Sequence, residues 1–481
     1  MIHTRRALYY AAAAALTLTL SACSLVGAGG EEASSGSKIT VTVALVPDPP
    51  GASEFYRQQF DTFQAANPDI NVKVVENPSD QQLSAIELMF QQGSSPDVFR
   101  AQDNGMDRML ERGWVAPLDR YVTPEFLGRF PQGSMEPATS GLHRDGKLMS
   151  LPLVWGNWSP LRVFIYNKAI LKENGFDGPP KNWSEMEKMA TAITKKGDGK
   201  VFGYAPTAAK ALAVEMLANT AVPYSVPAQG IDFRTGEAAT ADPGMVEAVE
   251  LHRRMQADKV MMPGWESWDG NRAFTEFAAE KLAMYPSAPW NVAEIRKLNP
   301  EIEMGVSAIP VPDSGRGAYT ALPQSFGPLW GMSAQSKHPK ESWKVMDFLS
   351  SLEFHKAYYT KFGTFTALES AWKDEAVKNP DQKAILDVAT ETLRLAPNPK
   401  LASEGGKMIL TAREGKPELR HIDAAADSIV NNKPFLPMAK DIDKKLGTLI
   451  DETIAASGGK ASRKDITFPG WNPLEPFEPE Q

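Results

Sequence analysis

Between Gly141 and Lys168 the chain reads GLHRDGKLMSLPLVWGNWSPLRVFIYNK, and this stretch restricts the possible folds more than any other. Arg144-Asp145-Gly146 is a turn signal, and the apolar extended run after it ends at Val154. Trp155-Gly156-Asn157-Trp158 then breaks the pattern, and a second strand follows at Val163–Tyr166. Two apolar strands separated by glycine and aromatics are expected where a chain leaves one body and enters another, so the stretch reads as a hinge crossing. If it stays extended, strand alternation lets only one of Trp155 and Trp158 face a cleft there.

Residues 1–37 are expected to lie outside the fold. Arg5 and Arg6 form a positive start, Ala7–Leu20 an apolar run, and Leu20-Ser21-Ala22-Cys23 a small-residue cleavage site, so residues 1–23 read as a secretory signal. The run resembles a bacterial lipobox, which would make Cys23 the lipidated first residue of the mature protein. The alternative is a soluble secreted protein cleaved near Ala22. Residues 24–37 are small, Gly/Ser-rich and acidic, and read as a flexible tether.

From Lys38 onward about 440 residues remain, more than a single core usually serves, which favours two domains. Cys23 is the only cysteine, so the rest of the chain has neither disulfides nor cysteine-ligated metal sites. The net charge of −8, with both signs interspersed, leaves no basic stripe for phosphates and argues against a nucleic-acid partner.

Ile39–Val46 reads as a buried strand, followed by a Pro-rich loop and a helix carrying Tyr56, Phe60 and Phe63 on one face. Ile70–Glu76 is a second strand, Leu83, Ile86 and Phe90 mark a second helix, and Pro96–Phe99 leads into a third strand ending at Arg100. This β-α-β-α-β order starts an α/β lobe, and such sheets bind ligands beyond the carboxyl ends of their strands. Asp48, Asp103 and Asn104 fall on that rim. Asp103 also reads as the N-cap of the helix that follows.

The α/β pattern restarts after the hinge. Strands are expected at Val163–Tyr166, Val201–Ala205, Leu282–Tyr285 and Met304–Ile309. Helices are expected over Ser184–Thr194, where Ser184 and Glu187 have capping-box spacing, and over Ala208–Asn219, Pro243–Asp258 and the segment holding Phe274 and Phe277. Gln324–Met332 is a second break, Lys340–Leu352 an amphipathic helix, and Lys361–Ala367 a third break before a long helical tail. The expected division is therefore 38–153 with 328–364 as one lobe and 154–327 with 365–481 as the other.

An enzyme needs a chemical constellation, and none is evident. The six histidines are scattered, no HExxH, GxSxG or P-loop occurs, and no local sequence singles out two carboxylates for glycoside hydrolysis. A sugar binder, by contrast, needs aromatic planes for C–H faces and carboxylates or amides for hydroxyls. Of 11 tryptophans, Trp155, Trp158, Trp265, Trp268, Trp290 and Trp330 fall in loops or breaks, with Asn157 and Asp269 beside them. Trp158 and Trp265 read equally as plugs between helices and sheets, whereas Trp114, Trp183 and Trp343 belong to element cores.

Several motifs recur in a recognisable order. They are Ser95-Pro96-Asp97-Val98-Phe99, Gly113-Trp114-Val115-Ala116-Pro117-Leu118-Asp119, Asp145-Gly146-Lys147 through Leu151-Pro152-Leu153, Tyr166-Asn167-Lys168, Pro179-Pro180-Lys181-Asn182-Trp183, Phe277 through Ala283-Met284, and Pro289-Trp290. With the lipobox they resemble the family 1 extracellular solute-binding proteins of bacterial ABC importers, the maltose-binding-protein-like group, over almost all of Lys38–Ala371. The resemblance implies a class II periplasmic-binding-protein fold: two α/β lobes, each a sheet flanked by helices, joined by three hinge crossings. It also implies a mono- or oligosaccharide enclosed between the lobes, delivery to permease subunits, a monomer held outside the cytoplasm by its N-terminal lipid, and no cofactor.

By the same resemblance Trp290 looks like the platform on which relatives stack a sugar ring, with a core tryptophan as the alternative. Asp103 and Asn104 match a sugar-binding loop, although Asn104 departs from the arginine of the maltose binder. Thr207–Lys210 match a loop that in the maltose binder carries a glutamate and a tyrosine. Both types are absent here, so maltose itself does not carry over. Two other readings remain: a receptor for a polyamine or glycerol phosphate, and a secreted carbohydrate-active enzyme, which turnover would distinguish.

Overall fold

The β-branched run Ile39–Leu45 lies inside a five-stranded sheet of the computed structural model. The structure describes residues 38–78, 81–132, 134–135, 141–156, 158, 160–207, 212–322 and 327–478. Cys23 with the whole of residues 1–37, Asn157, and most of the Thr207–Lys210 loop lie outside the described residues, as does the first part of the Gln324–Met332 break.

Across the first sheet the strands run Ile70–Glu76, Ile39–Leu45, Val98–Ala101, Leu329–Met332 and Ser150–Pro152. The first three are parallel and the last two join antiparallel. The helix Ala52–Ala66 buries Phe55, Tyr56, Phe60 and Phe63 against this sheet, as its spacing predicts. The helix Gln82–Gln91 buries Phe90, whose ring stacks on Trp114 at 4.7 Å.

Two expectations need correction here. Leu329–Met332, read as part of a break, is a central strand, because a strand buried on both faces shows a continuous apolar run and no alternation. The helix expected over Lys340–Leu352 is present as Pro339–Leu349, three residues shorter at its end, and a second helix that was not expected follows at Leu352–Phe362, N-capped by the Ser351 hydroxyl and ended by Gly363 at φ 64°. The helix Pro339–Leu349 packs on the strands of the first sheet.

The second sheet has the order Met304–Ser307, Val163–Asn167, Leu282–Ser287, Phe202–Tyr204, with Val163–Asn167 antiparallel to both its neighbours. The helix Trp183–Gly197 lies so close to Phe202–Tyr204 that a Cβ on Gly203 would strike the Ala190 backbone. That helix starts at a different cap from the one expected. Asn182 accepts from the Glu185 N–H at 2.9 Å, while the Ser184 hydroxyl reaches Asp313 at 2.6 Å. The C-terminal helices build a smaller core of their own, in which Ile409, Leu410, Leu446, Ile450 and Trp471 close over Ile231 and Phe233.

Three crossings run side by side between the sheets. The Leu153 N–H donates to the Pro328 carbonyl (3.1 Å), the Trp155 N–H to the Phe365 carbonyl (2.8 Å), and the Ala367 N–H to the Leu153 carbonyl (3.1 Å). Phe365 stacks on Trp372 at 4.2 Å, and the Trp372 indole N–H donates to the Thr366 carbonyl at 2.8 Å. Backbone pairing holds the crossings together, and this aromatic pair fills the junction.

Candidate functional site

The rim of the first sheet is set by a buried cation that the sequence reading missed. Arg100, in the third strand, is 6% exposed in its side chain, and its Nη1 meets Asp48 Oδ1 at 2.8 Å. The same nitrogen donates to the carbonyls of Val46 (3.1 Å) and Asp48 (3.2 Å), so it fixes the loop after the first strand. Burial alone would lower the guanidinium's pKa, but Tyr56 and Asp48 beside it outweigh that and raise it. Burial likewise pushes the Tyr56 hydroxyl well up. The only sequence signal was a charged residue at the end of an otherwise apolar strand.

Asp103 does not cap the next helix. The cap is Gln102, in extended conformation, and Asp103 is the first residue of the helix Asp103–Glu111 with Asn104 after it. The backbone of both therefore sits just beyond the third strand, and their side chains lie outside what is described.

The expected tryptophans separate by burial. Trp290 opens the helix Trp290–Leu298 just after the strand Leu282–Ser287; it is half-buried, with Phe274 edge-on at 5.7 Å. Trp155 is also half-buried, edge-on to Phe365 and Trp372. Trp158 is buried against Phe365 at 5.0 Å. The Trp158 N–H donates to the Trp155 carbonyl at 2.8 Å, a bond between residues three apart that an extended segment does not make, so the alternation expected of one does not apply.

Trp268 is 9% exposed and Trp330 1%, so both are core residues. Trp330 sits opposite Arg100 and Leu151 in the first sheet. Trp265 is a plug, its indole N–H held by Gln256 at 2.9 Å. Asp269 is exposed and accepts from the N–H groups of Asn271 and Arg272, which makes it a cap for the helix Arg272–Ala278.

Among the described residues, none of the expected ones lines the cavity that lies beside the helix Asp103–Glu111. It has about 270 Å³ between Met106, Asp107, Arg144 and Leu329 on one side and Tyr224, Lys400, Lys407 and Glu414 on the other. Asp107 pairs with Arg144 at 3.2 Å and Lys400 with Glu414 at 2.8 Å; Lys407 reaches Glu111 at 3.0 Å. Burial raises the Asp107 carboxyl, and Lys400, Arg144 and Lys407 oppose that rise. Sequence reasoning missed this set because its two halves lie far apart in the chain. Among the described residues no group of histidines and carboxylates is arranged to hold a metal ion.

Comparison with known proteins places this geometry in context. A model of the bacterial extracellular solute-binding proteins matches residues 58–384. A protein of Brucella abortus (strain 2308), named only as a binding protein, is 27% identical over 348 residues, 71% of this chain and 80% of that one. The maltodextrin-binding protein MdxE of Bacillus subtilis (strain 168) is 24% identical over 450 residues, 90% of this chain and 97% of its own. Among solved structures, maltose-bound T. maritima MalE3 superposes with a TM-score of 0.65 at 18% identity, over 85% of this chain and 100% of that one. The sugar-binding protein MalE of Xanthomonas citri gives 0.62 at 19%, over 87% and 98%.

Proposed function

The chain belongs to the bacterial extracellular solute-binding proteins, which act outside the cytoplasm, and from that premise we propose that it captures a sugar or oligosaccharide between its lobes and delivers it to the membrane permease of an ABC-type importer. The observation that carries the reading is the set of three hydrogen-bonded crossings between two α/β lobes, the architecture of a cleft that opens and closes. Ligand that touches both lobes favours the closed form by its differential affinity, and the permease recognises that form.

In this reading Trp155 and Trp290, which keep exposed ring surface, are the sugar platforms, and Asp48, Asp103, Asn104 and Asn157 supply hydroxyl partners at the rim. Trp158, Trp268 and Trp330 support the site from the cores, and Asp269 does so as a helix cap. The lobes divide as 38–153 with 328–364 and 154–327 with 365–481. Residues 1–23 are a signal peptide, lipidated Cys23 anchors a monomer through the tether, and no enzyme activity is involved.

Equilibrium dialysis against mixed oligosaccharides, with chromatography of what the protein retains, tests the reading. Intact sugar held at one per chain is expected. Consumed sugar would make the protein an enzyme, and retention of none would remove the carbohydrate assignment.

A further inference from the structure

The cavity between the helix Asp103–Glu111 and the C-terminal segment carries part of its charge on residues outside the family match. Lys400, Lys407 and Glu414 lie beyond residue 384, where that match ends. Among the described lining residues, three cations, Arg144, Lys400 and Lys407, stand against two carboxylates, Asp107 and Glu414. Arg144 is taken by Asp107 and Lys400 by Glu414, both within the cavity. The three pairs are similarly exposed, but Lys407 differs in one respect: its partner Glu111 does not line the cavity. All three pairs reach solvent and are weak. Beside Arg144 or Lys400, however, an anionic ligand would also meet the carboxylate that pairs it inside the cavity, whereas Lys407 brings no such carboxylate with it, so Lys407 is the cation a ligand can recruit at least cost.

The facing wall suits a sugar ring. Tyr224 is half-buried and backed edge-on by Phe233, while its hydroxyl is committed to the Pro397 carbonyl at 2.6 Å, leaving the ring as its contribution. We infer that this cavity accepts an acid-bearing sugar unit, a uronate, with its carboxylate on Lys407 and its ring beside Tyr224. A phosphate ester fits less well, because among the described lining residues the one guanidinium fork, Arg144, is paired with Asp107, a carboxylate that itself lines the cavity and would repel a second negative charge. The inference rests on the proposed sugar-receptor function and narrows its ligand class.

Calorimetric titration of the whole protein with uronate di- and trisaccharides, each beside the neutral sugar of the same linkage, tests it. An acidic sugar is expected to bind about tenfold tighter than its neutral partner, the worth of one charge-assisted hydrogen bond, with the margin shrinking as salt rises. Lys407→Gln should erase the margin and Lys407→Arg should keep it. Glu111→Gln, which frees Lys407, should keep or widen it. Equal losses in Lys407→Gln and Glu111→Gln would reduce the pair to a strut and overturn the inference. Neutral sugars binding as well as acidic ones, or glycerol phosphate binding in their place, would overturn it too. Binding of neutral sugars alone leaves the receptor function standing; binding of no saccharide removes both.

Discussion

Asp48 Oδ1 and Arg100 Nη1 meet at 2.8 Å where the first and third strands end, and this pair fixes the loop on the rim of the first lobe. Removing the carboxylate leaves a buried guanidinium without its anionic partner, held by the Val46 and Asp48 carbonyls. A fully buried pair broken on one side costs about 3–5 kcal/mol; Asp48 is half in solvent, so about 1–2 kcal/mol is expected. Asp48→Ala should therefore lower the urea midpoint with an unchanged slope. An unchanged midpoint would mean that the carbonyls alone hold Arg100.

Trp290 is half-buried and touches Phe274 edge-on, which is less packing than a core tryptophan has. As a stacking platform it should matter more for ligand than for fold. Trp290→Ala is expected to weaken sugar affinity at least about tenfold, the range of an aromatic contact in a desolvated site, with a small change in Tm. A large fall in Tm with an equal loss in affinity would make it a core residue.

His252 is fully buried, with the Tyr204 hydroxyl 2.8 Å from Nε2 and the Ala248 carbonyl 2.7 Å from Nδ1. Burial pushes its pKa down from 6.5 to about 4. Below pH 6.5 the unfolded chain takes up a proton that the folded chain does not, so the contribution is whole above pH 6.5 and is lost as the pH falls toward 4. The full loss is about 3 kcal/mol. His252→Gln should be less stable at pH 7 yet decline less steeply between pH 6.5 and 4 in urea titrations. Parallel declines in the two proteins would place the acid sensitivity elsewhere.

The lipid anchor proposed for Cys23 has a direct readout. Cys23→Ser is expected to move the protein from the membrane fraction into soluble extracytoplasmic material, because a single unacylated tether has nothing to hold it. Equal membrane retention in the variant would mean that another contact holds the chain.

Local periodicity made the first lobe legible. Tyr56, Phe60 and Phe63 mark their helix, and the runs at Ile39 and Ile70 mark their strands, because those signals need only neighbouring residues. Trp330 was misread because its strand pairs with Val98–Ala101 and Ser150–Pro152, partners far away in the chain that leave no local trace. Tryptophans in breaks looked alike in sequence, yet Trp155 keeps more exposed surface than Trp158, and both pack against Phe365 from another crossing, a partner that leaves no local trace. The charged cavity was invisible for the same reason. Asp107 and Lys407 meet only after both lobes and the C-terminal helices have folded.

Capture of a carbohydrate between the lobes is the central claim, and a ligand panel read by thermal unfolding of the purified protein tests it most directly. A bound ligand raises Tm by linkage, about 2.7 kcal/mol at a hundredfold excess over Kd. The account expects at least one mono- or oligosaccharide to raise Tm by several degrees, and polyamines and glycerol phosphate to leave it unmoved. A panel in which every sugar is silent while a polyamine or glycerol phosphate raises Tm would contradict it.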